Sequence, residues 1–564
     1  GYVPGAAITS ATTLNSNLGL TINAAAGGID AYGQIGAGGN LFDADITGAT
    51  NVVAAGGNVA LTAGAAENTY VQIGAGGNGS DGVKTSATSV SAINVDMNSG
   101  TGTAAYTQIG TGGNLATGNT SGGTTVNATG TLNMDSATGY SQIGAGGNTA
   151  TGDHDGATTV TLGGALAMNA AAGAADAFVQ IGAGGFNTDG AITNSATSVT
   201  GAGAITMTSG VNANTYTQIG AGGQGSEGNK DGAVTVAGDS IAMTGGAGQS
   251  AYTQIGNGGD LAQGDITGDI NVDTAAGGIT LSSGGGTDAY AQIGAGGHGT
   301  NGLNSTIRSA VAIDTIGGGL ILDASGGGDN AYTQIGTGGL DQDGNKDGNN
   351  DITANIAGNV AMTSGANINT YSHIGVGGVL SSGGSKGGGV ILNAGANTLT
   401  MTAGAGENAY TQVGTGGDSG SGSITDGAVT VTANGGTTLN SGAGEDAYAM
   451  IGAGGNNYNP GTAGVVNDVI LNSNLGLTLN AAGGGNDAFA KVGSGGIGNW
   501  SSTDPLTSDT TVNAAGGAIT MTSGANDDAF TQIGAGGKAI DGVITSVTNV
   551  TANGVTMLSG SVVS

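Results

Sequence analysis

The sequence predicts an all-β chain coiled into a single parallel β-solenoid, of the right-handed β-helix type, in about fourteen repeats of about 38 residues with three strands per repeat. Three observations predict it. The first is a recurring segment, aromatic–x–Gln–Ile–Gly–x–Gly–Gly, as in Tyr70 to Gly77 (YVQIGAGG). With small variations it occurs fourteen times, at spacings of 34 to 42 residues, most often 38. The second is a pair of β-type runs ahead of each copy, typified by Ala428 to Ala433 (AVTVTA) and Ala518 to Thr522 (AITMT), whose apolar residues alternate with Thr or Ala. Period-2 alternation marks half-buried strands. The third is composition: 124 glycines, 3 prolines, no cysteine, 37% hydrophobic and 8% charged residues. Disordered chains combine high charge with few apolar residues, and this chain has neither feature.

Stacked repeats share a core that no single repeat could close. Only three β-type runs recur per repeat, which favours one coil per repeat over two coils of about 19 residues. Glycine pairs such as Gly56-Gly57 separate the runs and supply corners. Most variation in length falls after the G-x-G-G, in polar segments such as Leu340 to Asp351. A solenoid extrudes variable loops at such points.

Alternation within the motif also assigns faces. Ile35, Ile73, Ile109 and their equivalents share a side with the small residue two places earlier, and this side is predicted to face inward. The aromatic and the Gln then point the other way, as one ladder of rings and one of amides. Two readings of these ladders stay open. Both columns serve only to hold neighbouring coils together, or the stripe of Tyr32, Tyr70, Tyr106, Tyr140, Tyr216, Tyr252, Tyr290 and Tyr332 is an exposed contact surface. Two places before the aromatic runs a column of Asp and Asn, expected to bond back to the backbone in a turn. Its consecutive members Asp446, Asp487 and Asp528 would repel one another and need screening by water or a divalent cation.

Seven Lys and Arg stand against 38 Asp and Glu, a net charge of −31. Such a surface repels nucleic acid and anionic lipid, so neither is an expected partner. No run of 18 apolar residues is present, so no membrane span is expected. The candidate metal site is a calcium loop at Asp343, Asn345, Asp347 and Asp351, with Gly348 at its sixth position; the bidentate carboxylate of a complete loop is replaced by Ala354. The competing reading is a solvated polar loop. Residues Glu227, Asn229, Asp231 and Gly232 form a degenerate relative, and Gly76 to Lys84 match a calcium nonapeptide once. No cofactor other than calcium is expected. The single arginine, Arg308, and the histidines His154, His298 and His373 fall in different repeats, so no enzymatic activity is expected. Thr-x-Thr pairs such as Thr430 and Thr432 look scattered, against an ice-binding face. Trp500 and Pro505 mark a decorated loop and a potential interface.

Runs such as Val431 to Gly455 (VTANGGTTLNSGAGEDAYAMIGAGG) are similar to the repeat shafts of filamentous-haemagglutinin-type proteins, exoproteins of bacterial two-partner secretion. The resemblance is one of composition and spacing over the whole chain. It implies a secreted or cell-surface β-helix serving attachment or matrix structure, and it transfers no site residues. Residues 1–564 are expected to form one continuous solenoid, uncapped at both ends, so that the chain is either part of a longer array or stacks head to tail. The expected function is an extracellular structural element of a surface filament or matrix fibre. The alternative is an adhesin shaft that binds a surface, a glycan or other cells.

Overall fold

Most coils are built from four parallel strands, one more than the sequence suggests. In one coil these are Lys84–Thr85, Thr88–Ala92, Val95–Asn98 and Tyr106–Ile109. They are called here the short strand, the first run, the second run and the motif strand. The computed structural model describes residues 7–299, 305–346, 348–425, 427–501 and 503–558, and these contain no helix. The chain divides into two compact units, residues 1–270 and 271–564. Seven motif strands lie in the first, from Tyr32–Ile35 to Tyr252–Ile255, and seven in the second, from Tyr290–Ile293 to Phe530–Ile533. Within each unit the coils stack with like on like, making a β-solenoid of one coil per repeat. Tyr106 pairs with Tyr140, Gln108 with Gln142 and Ile109 with Ile143. The same parallel register holds in the first run (Val90 with Val126) and in the second (Met97 with Met134).

Period-2 alternation works as predicted in the two runs. Val90, Val95 and Met97 are buried, whereas Ser89, Ser91, Asp96 and Asn98 look outward. The motif strand behaves differently, because all four of its residues are buried in nearly every coil. Its Ile and the small residue two places earlier face the two runs, as predicted: an ideal Cβ on Gly33 would meet the Ile22 side chain at 2.4 Å. Its aromatic and Gln face a second, narrower compartment. That compartment is closed by the chain leaving the G-x-G-G, which folds back and returns through the short strand. In the first unit Ala145, Ala183, Ala221 and Ile192 form one apolar cluster of this compartment. In the second unit Ile424, Ala453, Tyr458, Val465, Trp500 and Leu506 form another. Trp500 is therefore core and not an exposed decoration.

The G-x-G-G is where one coil's backbone rests directly on the next. Gly146 has a φ of +113°, and a Cβ there would stand 2.1 Å from the Gly184 carbonyl oxygen. Only a residue without a side chain fits such an approach. No helix among the described residues is long and apolar enough to cross a membrane.

Candidate functional site: an interior ladder and an anionic exterior

The predicted aromatic stripe exists as a ladder but not as a surface. In the first unit the rings stack from Tyr32–Tyr70 to Tyr216–Tyr252 at centroid distances of 4.7–4.9 Å and interplanar angles of 1–4°. The second unit has a ladder of its own, with Tyr290 and Tyr332 4.8 Å apart. Tyr70, Tyr106, Tyr140, Tyr216, Tyr252, Tyr290 and Tyr332 are buried, and only Tyr32, in the first described coil, is half exposed at 50%. The exposed-interface expectation for these tyrosines is thus corrected. Alternation tells which side chains share a side, but not whether another part of the chain covers that side. Burial holds the phenols well above their usual range.

The glutamines of the same face bond the coils together. Gln72 Nε2 donates to the carbonyl oxygens of Ala75 in its own coil and of Gly110 and Gly112 in the next, at 3.2–3.3 Å. Gln180 and Gln218 repeat the pattern. An amide ladder that the sequence did not single out follows the G-x-G-G, where Asn78 donates to Asn40, Asn114 to Asn78 and Asn148 to Asn114 at 2.8–3.0 Å. Asp418 sits at the equivalent place in the second unit. It accepts from Asn456 at 2.8 Å, and burial pushes its carboxyl up to about 7.

The short strand carries the least expected feature. One of its positions is apolar in many coils (Ile46, Ile192, Ile266, Ile307, Ile424, Val465, Leu506), yet Lys84, Lys230, Lys346 and Lys386 occupy it elsewhere, fully buried. Each ammonium is bonded by backbone carbonyls. Lys84 Nζ donates to Ser80, Gly82 and Thr117 at 2.8–3.1 Å, and Lys230 Nζ to Ser226, Gly228 and Gln263. Burial pushes Lys84 down to about 8 and Lys230 to about 7, with Asp81 and Glu227 respectively opposing the shift. Lys386 is lowered first by burial and then by Lys346 beside it. Lys491, in the glutamine column, is also buried and is pushed down to about 7. Five of the seven cationic side chains therefore lie inside, leaving Arg308 and the partly exposed Lys538 against the acids of the exterior.

The Asx column before the aromatic is a row of left-handed backbone positions, from Asp30 (φ 60°) and Asn68 (φ 55°) to Asp528 (φ 57°). Asn and Asp tolerate this conformation best among residues with a Cβ. Asn68 Nδ2 donates to Asp30 Oδ1 at 3.0 Å, and Asn369 to Asn330 at 2.9 Å. Between the stacked Asp487 and Asp528 the screening cation is Lys538, which bridges both carboxylates, with 2.7 Å to Asp528. Lys538→Gln is expected to cost a small amount of stability that added salt restores, as a thermal melt across a salt series would measure.

The residues of the candidate calcium loop are spread along the seam between coils. Asn345 Oδ1 accepts from the Ser385 amide at 2.8 Å, Asp351 Oδ1 from the Gly389 amide at 2.7 Å, and Asp343 bonds the Ser382 hydroxyl. Asp347 lies outside the described residues. Bonds of the same kind join Asp153 to Ala191 and Asp468 to Asp509, where no calcium pattern exists. No group of three or more His, Cys, Asp or Glu side chains suited to a metal occurs among the described residues.

The histidines remain apart. His154 is buried against Thr120 (2.9 Å) and held down to about 4 by burial, and His373 takes a glutamine's place. The threonines are more ordered than the sequence suggests: Thr400, Thr438, Thr478, Thr520 and Thr556 fall in register on the outer face of the second run. No protein-family model, curated protein or solved structure matches the chain.

Proposed function

We propose that this chain is an extracellular structural protein, a segment of a surface filament or matrix fibre whose copies associate end to end. One observation carries the reading. The side chains that recur in every repeat are spent inside the molecule on contacts along the stacking direction. Rings stack at 4.7–5.1 Å, glutamine amides bond carbonyls of the following coil, and glycine backbones rest on glycine backbones. The outward positions of the two runs carry residues that differ from coil to coil. A binding protein keeps its constant residues where a ligand can reach them; here they reach only the next coil. The resemblance to filamentous-haemagglutinin-type shafts agrees with this reading.

A second reading, an adhesin shaft for a glycan or other hydroxyl-rich surface, is favoured by the in-register threonines from Thr400 to Thr556. Electron microscopy of native material separates the two. The structural reading expects fibres of uniform width, with association strengthened by salt or a divalent cation because like-charged exteriors must be screened. Isolated particles that retain glycan affinity, with no fibres at any ionic strength, would sink it.

A further inference from the structure

We infer that the tyrosine and glutamine ladders form one interlocked hydrogen-bond relay, in which the phenol of each coil donates to the amide oxygen of the coil before it. The groups left over after the contacts described above fit one another. Each glutamine uses its NH2 on backbone carbonyls, which leaves Oε1 with nothing but lone pairs. Each phenol oxygen is approached by a backbone amide eight residues further on (Asn78 for Tyr70, Asn114 for Tyr106), which leaves its own hydrogen to donate. Between Tyr448 and Gln412 of the preceding coil the bond is closed, at 3.2 Å. For Gln34 and Tyr70, Gln72 and Tyr106, and Gln334 and Tyr371, both partners are buried and both are open together. A buried acceptor and a buried donor without partners each cost about 1–3 kcal/mol, so a closed pair is the favoured state.

The sequence carries its own control. Six coil-to-coil steps lie in each unit. Nine of the twelve place a Tyr after an acceptor, which is Gln in eight of them and His373 in the ninth. The histidine fits the rule closely. Its Nε2 lies 2.6 Å from the Gly414 carbonyl and so bears the proton, leaving Nδ1 as an acceptor for Tyr410. The remaining three steps carry Phe. Phe489 follows Met450 and Phe530 follows Lys491, neither of which offers an acceptor. Phe178 follows Gln142, whose Oε1 already accepts from Gln108 Nε2 at 3.5 Å. In two of the three steps that lack the hydroxyl the acceptor is missing too, and in the third the acceptor already takes another hydrogen bond. Ring stacking alone does not account for this matching, since Phe and Tyr stack equally well.

The test is a double-mutant cycle on the full chain, read by hydrogen exchange of the motif-strand amides. Tyr448→Phe is expected to speed local exchange about tenfold or more, because Gln412 Oε1 is left buried without a donor. In a Gln412→Met background the same change should have no further effect or should restore protection, reproducing the Met450–Phe489 step. Equal effects in both backgrounds would overturn the relay. Should Tyr448→Phe fail to fold, the reverse series remains: Phe489→Tyr should be destabilising alone and tolerated with Met450→Gln. The tyrosine Raman doublet gives a separate readout, expected for the native chain in the form of phenols that donate as well as accept. An acceptor-dominated doublet would contradict the assignment.

Discussion

Replacing Gly146 with alanine is expected to destabilise its part of the solenoid by about 4 kcal/mol or more, among the largest single-residue effects available in this chain. Two costs combine. Alanine at a φ of +113° is strained, and its methyl would stand 2.1 Å from the Gly184 carbonyl oxygen. The obstacle is backbone held in the inter-coil ladder, so no side chain can swing aside. Because coils in a solenoid couple to their neighbours only, the loss should appear as a new low-temperature transition or a local site of proteolysis rather than as uniform weakening. Gly326→Ala is the matched control, since a Cβ there has nothing within 4 Å. It should change stability by less than about 0.5 kcal/mol. Equal melting of the two variants would mean that the coils do not rest on one another through these glycines.

Stability should rise with pH from about 7 to about 10, unlike that of most proteins, which are most stable between about pH 5 and 8. Lys84 and Lys346 are pushed down to about 8, and Lys230 and Lys491 to about 7, by burial. Between those values and the ordinary 10.5 the unfolded chain binds more protons than the folded one, so each such lysine adds stability as pH rises through that window. Below pH 7 the lysines are protonated in both states and their contribution flattens. For Lys230 the full span is worth up to about 5 kcal/mol. Above about pH 10 the sign reverses, because tyrosines ionise in the unfolded chain while the buried phenols are held neutral. Asp418, raised to about 7, opposes the trend only from about pH 4 to 7. Lys230→Ile should raise stability at pH 6 by about 1–4 kcal/mol and change little at pH 10, since other coils already carry Ile there. Melting temperatures across this range check both statements, and a flat profile from pH 7 to 10 would refute them.

The fold was legible because its signals are repeated. Fourteen copies of Gln-Ile-G-x-G-G, or near variants, announce stacking, and the alternation in runs such as VTVTA separates core from exterior. What escaped reading has specific causes. A two-residue strand such as Lys84–Thr85 is too short to show any period, and its inward position is chemically mixed because a ring of carbonyl oxygens accepts an ammonium where other coils place Ile. The tyrosine ladder was read with the right partners and the wrong surroundings. What covers it is the irregular segment after the G-x-G-G, whose return path is set by left-handed residues such as Leu41 and Leu115 and by the Asn40–Asn78–Asn114 ladder, not by any hydrophobic pattern. At Asp343 to Asp351 the Asx side chains serve the seam between coils, where Asn345 and Asp351 accept from amides of the following coil.

Placing five of its seven cationic side chains indoors also changes how the molecule meets enzymes and reagents that look for them. A protease that cuts after lysine or arginine finds only Arg308 and Lys538 within reach on a chain of 564 residues, and an amine-directed crosslinker finds one accessible lysine side chain. Resistance to tryptic digestion is then a by-product of how the interior is filled, independent of how strongly the coils adhere.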